Sequence, residues 1–227
     1  MMFLSRVPLN PARAGTRKLL SSPQVAHAAV MAAFPPEDDT AASREGRVLW
    51  RIDRRDHAVD LYVVSPAEPD FTHVVEQAGW PTTTAWTSRK YLPLLDNLTT
   101  GQQWHFRLTA NPVRAAVDRG EGVALARGKR NGLTEEDQLT WLTKRTEANG
   151  FRLGLCRNPD GDEPDVRIID RSTLRFRRGP ATVTVSTATY EGTLEVIDPQ
   201  ALRRALANGI GRAKGYGCGL MTLAPPA

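Results

Sequence analysis

Prolines set the length scale of this chain. Asn10-Pro11, Ser22-Pro23, Pro35-Pro36 and the Pro66/Pro69 pair interrupt the first half repeatedly. Proline lacks a backbone donor and clashes with the preceding turn, so no long helix or strand can run through these points. The segments between them are short and alternate in type. Phe3–Leu9 is an apolar run closed by Asn10-Pro11, a strand. Ser22 is placed to cap a helix with Pro23 at its first position, predicting a helix over Gln24–Phe34 that Pro35-Pro36 stops. An acidic, small-residue loop occupies 36–46. Arg47–Arg54 then puts Val48, Trp50 and Ile52 on one face, a half-buried strand, and Ala58–Val64 answers it across a tight turn. A second helix is expected over Phe71–Ala78 and a last strand near Thr84–Leu92. The order is β-α-β-β-α-β.

The second half repeats this order with a larger insertion. Trp104–Leu108 alternates as a strand and halts at Asn111-Pro112. Arg119–Gly132 contains four glycines and little periodicity, so a mobile loop is expected there. Thr134 and Asp137 have the spacing of a capping box and predict a helix to about Ala148. Phe151–Cys156 and the long run Val166–Ile197 read as strands, Pro199–Ala207 as a helix, and Gly217–Leu223 as the closing strand. Two βαββαβ units in tandem make an α+β protein of two ferredoxin-like domains. The 227 residues divide as 1–97 and 98–227.

Charge obeys the same division. Residues 1–97 hold eleven Lys and Arg against eleven Asp and Glu, while 98–227 hold nineteen against fourteen. The whole excess of five positive charges therefore lies in the second half. A basic half beside a neutral one points to a polyanionic partner. Twenty-five of the thirty basic residues are Arg, which grips phosphate bidentately and stacks on bases. An Arg-for-Lys genomic bias is the plain alternative. No stretch approaches the ~20 apolar residues of a membrane span, and no secretory leader is expected at the N-terminus. Cys156 and Cys218 fit reduced thiols in a cytoplasmic protein.

Two segments concentrate the basic character. Gly209–Leu220 reads GIGRAKGYGCGL, with five glycines, Arg212 and Lys214, and no acid. Gly209, Gly211, Gly215, Gly217 and Gly219 would let backbone N–H groups approach a phosphate closely. Tight helix–strand packing is the alternative reading of the same glycines. The run Asp165–Arg178, taken as an uninterrupted strand, puts Arg167, Arg171, Arg175 and Arg177 on one face. Val166, Ile168, Leu174 and Phe176 then share the other. Such a row of cations can track the backbone of an RNA stem. A solvated outer face is the bland reading.

No His or Cys pair has metal-ligand spacing, so neither a metal site nor a cofactor is expected. His57 falls in a turn, His105 on the polar side of a strand and His73 in a surface-type helix. His27 lies about one turn inside the first helix among Ala, Val, Met and Phe. A core histidine and a neutral general base are both consistent with that setting.

MFLSRVPLNP, SPQVAHAAVMAAFP, RLTANPVRA followed by GKR, TWL, YEGTLEVID and GIGRAKGYGCGLMTLAP occur in this order along the chain. Together they resemble the CasE family, the pre-crRNA endoribonucleases of type I-E CRISPR systems within the RAMP superfamily. The resemblance implies two RRM-like domains and metal-independent cleavage of the CRISPR repeat stem-loop. It implies products with a 2′,3′-cyclic phosphate and a 5′-hydroxyl, and an enzyme that stays on the 3′ hairpin beside other Cascade subunits. The catalytic histidine of the family falls on His27. Some members have a tyrosine three residues earlier, where this chain has Gln24. The RNA-gripping hairpin falls on Arg175, Arg177 and Arg178, and the phosphate loop on Gly209–Gly219. A non-catalytic RNA-binding subunit of the same fold and a nucleotide-using enzyme are the competing classes.

Overall fold

The structure, a computed structural model, describes residues 1–35, 46–81, 86–113, 133–158 and 161–226. The glycine-containing loop expected over Arg119–Gly132 lies outside the described residues, as does most of the 36–46 loop.

The first sheet contains β1 (Phe3–Leu9), β2 (Leu49–Arg55), β3 (Ala58–Ser65) and β4 (Thr87–Lys90), in the order β2-β3-β1-β4. All its pairings are antiparallel, as expected of a βαββαβ unit. Strand β1 alternates as its sequence predicts, with Phe3, Ser5, Val7 and Leu9 buried. Helices α1 (Ala14–Ser21), α2 (Pro23–Met31) and α3 (Thr72–Ala78) belong to this half. Val7, Leu9, Ala26, Val30, Trp50, Leu61, Phe71 and Val74 share one apolar core.

Helix α1 departs from expectation. Its sequence, AGTRKLLS, has only Ala14, Leu19 and Leu20 as apolar residues, a short face whose leucines pack on the first core, and tertiary contacts add the rest of the reason for it. The Arg13 guanidinium donates to the carbonyls of Glu76 and Gly79 at the end of α3, and Thr16 Oγ1 donates to Ala78 O at 3.0 Å. A β-carbon on Gly15 would meet Gln77 O at 2.1 Å, so only glycine permits this approach. Helix α2 opens with Pro23 at its first position, as expected, although the Ser22 hydroxyl makes no capping bond.

The second sheet begins after the short helix α4 (Leu92–Asp96). It contains β5 (Gln103–Ala110), β6 (Phe151–Leu153), β9 (Val166–Arg178), β10 (Ala181–Val196) and β11 (Met221–Ala224). The order is β11-β5-β10, and β6 and β9 both pair with β10. They occupy successive stretches of it, β6 along Leu194–Val196 and β9 along Ala181–Gly192. Bonds from Gly154 N to Thr193 O and from Thr193 N to Asp165 O bridge the gap. One strand position of the ferredoxin-like unit is thus interrupted by a hairpin of β7 (Leu155–Asn158) and β8 (Gly161–Pro164). Helices α5 (Glu135–Thr146) and α6 (Pro199–Asn208) belong to this half. The Thr134/Asp137 capping box forms as predicted.

The two halves share a core. Met2, Leu49, Val64 and Leu95 pack in one cluster with Phe106, Tyr190, Leu202 and Ile210. Through this contact runs the side chain of Arg51, with 2% of its surface exposed. Nε and Nη2 hold Asp53 bidentately at 2.6 and 3.0 Å. Nη1 donates to Arg107 O and Leu220 O, and Nη2 also to Thr222 Oγ1. Asp53 accepts from Arg107 as well. Burial disfavours the Asp53 carboxylate, but the bonds and charge of Arg51 and Arg107 outweigh it and hold the carboxyl below its ordinary range. Its contribution to stability is accordingly present above the unfolded-state value of about 3.9 and lost as pH falls through the lower folded value. Arg51→Met should leave a buried charge short of its partner and cost about 3–5 kcal/mol, measured as a loss of unfolding free energy in denaturant.

Candidate nucleic-acid interface

Strands β9 and β10 form a long hairpin closed by Gly179-Pro180, with Gly179 at φ +58° in the first turn position. The register shows what each face presents. Arg175 opposes Thr184, Arg177 opposes Thr182 and Thr173 opposes Ser186. Directly paired residues project to the same side, so this face holds cations and hydroxyls. Leu174 opposes Val185 and Phe176 opposes Val183 on the other face. That face is apolar and packs against Ala213, Tyr216 and Cys218 of the glycine-rich run. Burial there pushes the Cys218 thiol up to about 12.

The expected row of four arginines is corrected at one position. The register slips between Thr189 and Tyr190, which oppose Asp170 and Ile168 and leave Ile169 without a partner. One extra residue inverts the alternation before it. Arg167 therefore lies on the face opposite Arg171, Arg175 and Arg177, and Ile168 joins theirs. Arg167 opposes Glu191 and bonds to it. Arg171 donates to Leu133 O at 2.9 Å, at the start of α5. Arg175 and Arg177 are exposed and form no ion pair among the described residues.

Arg178 opposes Ala181, which turns it to the Phe176 face, away from Arg175 and Arg177. There its Nη1 donates to Tyr216 Oη at 3.3 Å. Tyr216 closes a single 3-10 turn, Lys214–Tyr216. A β-carbon built on Gly215, in the middle of that turn, would stand 3.8 Å from Cε1 and 3.9 Å from Nε2 of His27. The structure thus brings His27, Lys214, Gly215 and Arg178 together, although a long stretch of chain separates the first from the rest. Arg212 is exposed on the same run. Arg47 and Tyr216 also belong to this cluster. Periodicity did not single them out: it places Arg47 at the start of a half-buried strand without showing that its charge acts on His27 and Lys214, and Tyr216 is embedded among glycines.

The glycines have structural duties as well. Gly209, Gly211, Gly217 and Gly219 all lie at positive φ. At Gly217, with φ +80°, a β-carbon would also meet the Trp50 ring at 2.8 Å. Gly215 alone of the five has neither a positive φ nor a tight neighbour.

The imidazole is half-buried, and its Nδ1 is enclosed without a hydrogen-bond partner among the described residues. Burial, then the charges of Arg178 and Arg47, lower its pKa below the ordinary value. Neutral imidazole therefore prevails at pH 7. Burial, with Arg47 second, also lowers the Lys214 pKa. The other histidines do not join them. His57 and His105 are exposed, and His73 Nε2 donates to Ala29 O at 2.9 Å, bracing α3 on α2. A cleft of about 860 Å³ between the sheets is lined elsewhere, by Arg51, Asp53, Arg107, Arg167 and Glu191 among others. Its arginines face carboxylates, so it offers less free positive charge than the hairpin. Among the described residues no group of three or more His, Cys, Asp and Glu is arranged to hold a metal ion. No described helix is long and apolar enough to cross a membrane.

Comparison with known proteins finds relatives over nearly the whole chain. The family profile described as "CRISPR associated protein" matches residues 2–225. A curated relative, CRISPR-associated endoribonuclease Cse3 of Thermus thermophilus, is 31% identical over 99% of this chain and 100% of its own length. The chain belongs to the CasE family of CRISPR-associated proteins. The Cascade subunit CasE of Escherichia coli is 28% identical over 99% of this chain and 100% of its own. A solved structure of the Thermus Cse3, bound to an RNA representing a pre-cleavage complex, superposes with a TM-score of 0.73. It is 31% identical and covers 99% of each chain.

In the free protein His27 should titrate below about 6.5, followed by the chemical shift of its Cε1 proton. Arg178→Gln removes one of the two charges and should return the midpoint part of the way upward.

Proposed function

We propose that this chain is a pre-crRNA processing endoribonuclease that binds and cleaves the CRISPR repeat hairpin and acts as a Cascade subunit. Membership of the CasE family carries this reading, and the juxtaposition of His27 with a cationic turn and hairpin supports its chemistry. In the proposed route the 2′-oxygen attacks the scissile phosphorus while the neutral His27 imidazole accepts its proton. The bond from phosphorus to the 5′-oxygen breaks, and the imidazolium returns the proton to that oxygen. One proton has moved from the 2′- to the 5′-oxygen, leaving a 2′,3′-cyclic phosphate and a 5′-hydroxyl. Lys214, Arg178 and the exposed Arg212 face the phosphate charge. Holding the attacking oxygen in line supplies further acceleration.

RNA also alters the imidazole. Arg178 and Arg47 disfavour its protonated form in the free protein, and a bound phosphate offsets their charge. The base is therefore ready before binding and is more easily protonated once the substrate is in place.

The reading divides the work between residues 1–97, with the imidazole, and 98–227, with the hairpin and glycine-rich run. Arg175 and Arg177 grip the stem by its phosphates from one face of the hairpin, and the backbone passes round the tip to Arg178 on the other. Gly215, against the imidazole, and the exposed Gly211 line the phosphate approach, whereas Gly209 packs on Leu49 and the buried Gly217 and Gly219 shape the turn. Arg171 serves at the margin. Arg167, paired with Glu191, adds least. After cleavage the 3′ hairpin stays on the basic face, giving one turnover per molecule, and the site of action is the cytoplasm.

His27→Ala should lower single-turnover cleavage by about 10²–10⁴-fold and leave hairpin affinity nearly unchanged. EDTA should leave the wild-type rate intact, and end-group analysis should find the cyclic phosphate. Full cleavage by His27→Ala, or inhibition by EDTA, would overturn the mechanism. Cleavage of nothing by the wild type would favour a binding-only subunit. Replacing Arg175 and Arg177 by Ala should weaken binding and flatten the log Kd against log salt slope by about 2. The rate at saturating protein should change little.

A further inference from the structure

An imidazole that relocates one proton leaves another demand unanswered. As the 2′-oxygen adds to phosphorus, negative charge accumulates on the non-bridging oxygens, and fixed donors aimed at them are worth most in a partly dehydrated site.

Tyr216 is placed for this task. Its neighbour Gly215 lies against the imidazole. Its ring is half-buried and held edge-on by Phe176, with centroids 4.8 Å apart and planes at 63°. Rotation of the phenol is therefore restricted. Its oxygen receives a hydrogen bond from Arg178 Nη1 at 3.3 Å. A guanidinium has donors only, so this contact occupies a lone pair of the phenol and leaves its hydrogen free for an acceptor elsewhere. A strained residue sets the turn. Ala213, at φ +59°, is the only non-glycine residue at positive φ among the described residues, and Tyr216 N bonds to its carbonyl at 2.9 Å. Strain of this kind persists where the surroundings over-determine it, frequently at functional sites.

We propose that Tyr216, positioned by Arg178, donates its phenolic hydrogen to a non-bridging oxygen of the scissile phosphate, a role that rests on the proposed cleavage at His27. The hydrogen stays on the phenol throughout, so the proton balance of the cleavage is unchanged. Arg178 positions the phenol and adds its charge to the same phosphate. Tyr216 thereby supplies a substrate contact on the Phe176 face of the hairpin, separate from the stem grip of Arg175 and Arg177.

Tyr216→Phe tests the proposal directly, since it removes one oxygen and retains the packing on Phe176. In the full chain, with its cognate repeat hairpin at saturating protein, the single-turnover rate should fall by about 10²-fold. The thermal midpoint and hairpin affinity should stay the same. Sulfur is a poor hydrogen-bond acceptor, so replacing one of the two non-bridging oxygens by sulfur should slow the wild type in one diastereomer. Tyr216→Phe should lose that discrimination. A wild-type rate for Tyr216→Phe, or an undiminished sulfur effect in it, overturns the assignment. His27→Ala in the same assay separates the two levels. Slow cleavage by His27→Ala together with normal Tyr216→Phe rejects the phenol alone, and rapid cleavage by His27→Ala rejects the underlying mechanism.

Discussion

A buried guanidinium determines how the two halves meet. Arg51 has five N–H donors, and each finds an acceptor: two on Asp53, and one each on Arg107, Leu220 and Thr222. Burying a charge is tolerable only with this degree of satisfaction. The acceptors come from β2 on one side and from β5 and β11 on the other, so the bonds set the position of one sheet against the other. Leu220 ends the glycine-rich run. Its carbonyl, tied to Arg51, anchors the segment that brings Lys214, Gly215 and Tyr216 to His27.

From that anchor the site is built by close approach. Trp50, next to Arg51 in β2, lies beneath Gly217. The apolar face of the β9–β10 hairpin packs on Tyr216 and Cys218, which aligns Arg178 with the turn. The same hairpin turns Arg175 and Arg177 outward. Two consecutive cations, Arg177 and Arg178, consequently serve different faces, because adjacent strand residues project to opposite sides. One hairpin can thereby offer a grip for a stem and a charge beside the imidazole.

Much of this was legible in the residues. The element order, the Thr134/Asp137 cap, the single histidine of interest and the glycine-rich run emerge from local rules of periodicity, capping and composition. Helix α1 was not read from the sequence, because its apolar face is only Leu19 and Leu20 beside Thr16 and its position is set by the contact of Arg13, Gly15 and Thr16 with the end of α3. The side of Arg167 was not legible either. A period of two holds only while the register does, and the extra residue at Ile169 reverses it. Tyr216 was hidden because a tyrosine among glycines signals nothing until its partners, Arg178 and Phe176, are known.

The sequence by itself determined the two βαββαβ units, the basic second half and the membership of the CasE family, since each rests on short-range order or on residue identity. Only the tertiary structure decided which cations stand beside His27, that Arg107 and Arg167 both bond to Glu191, and that the glycine-rich turn closes over the imidazole. These depend on contacts between residues far apart in the chain. Their geometry is set by one bulge, one strained turn and one fully bonded guanidinium, none of which has a periodic signature.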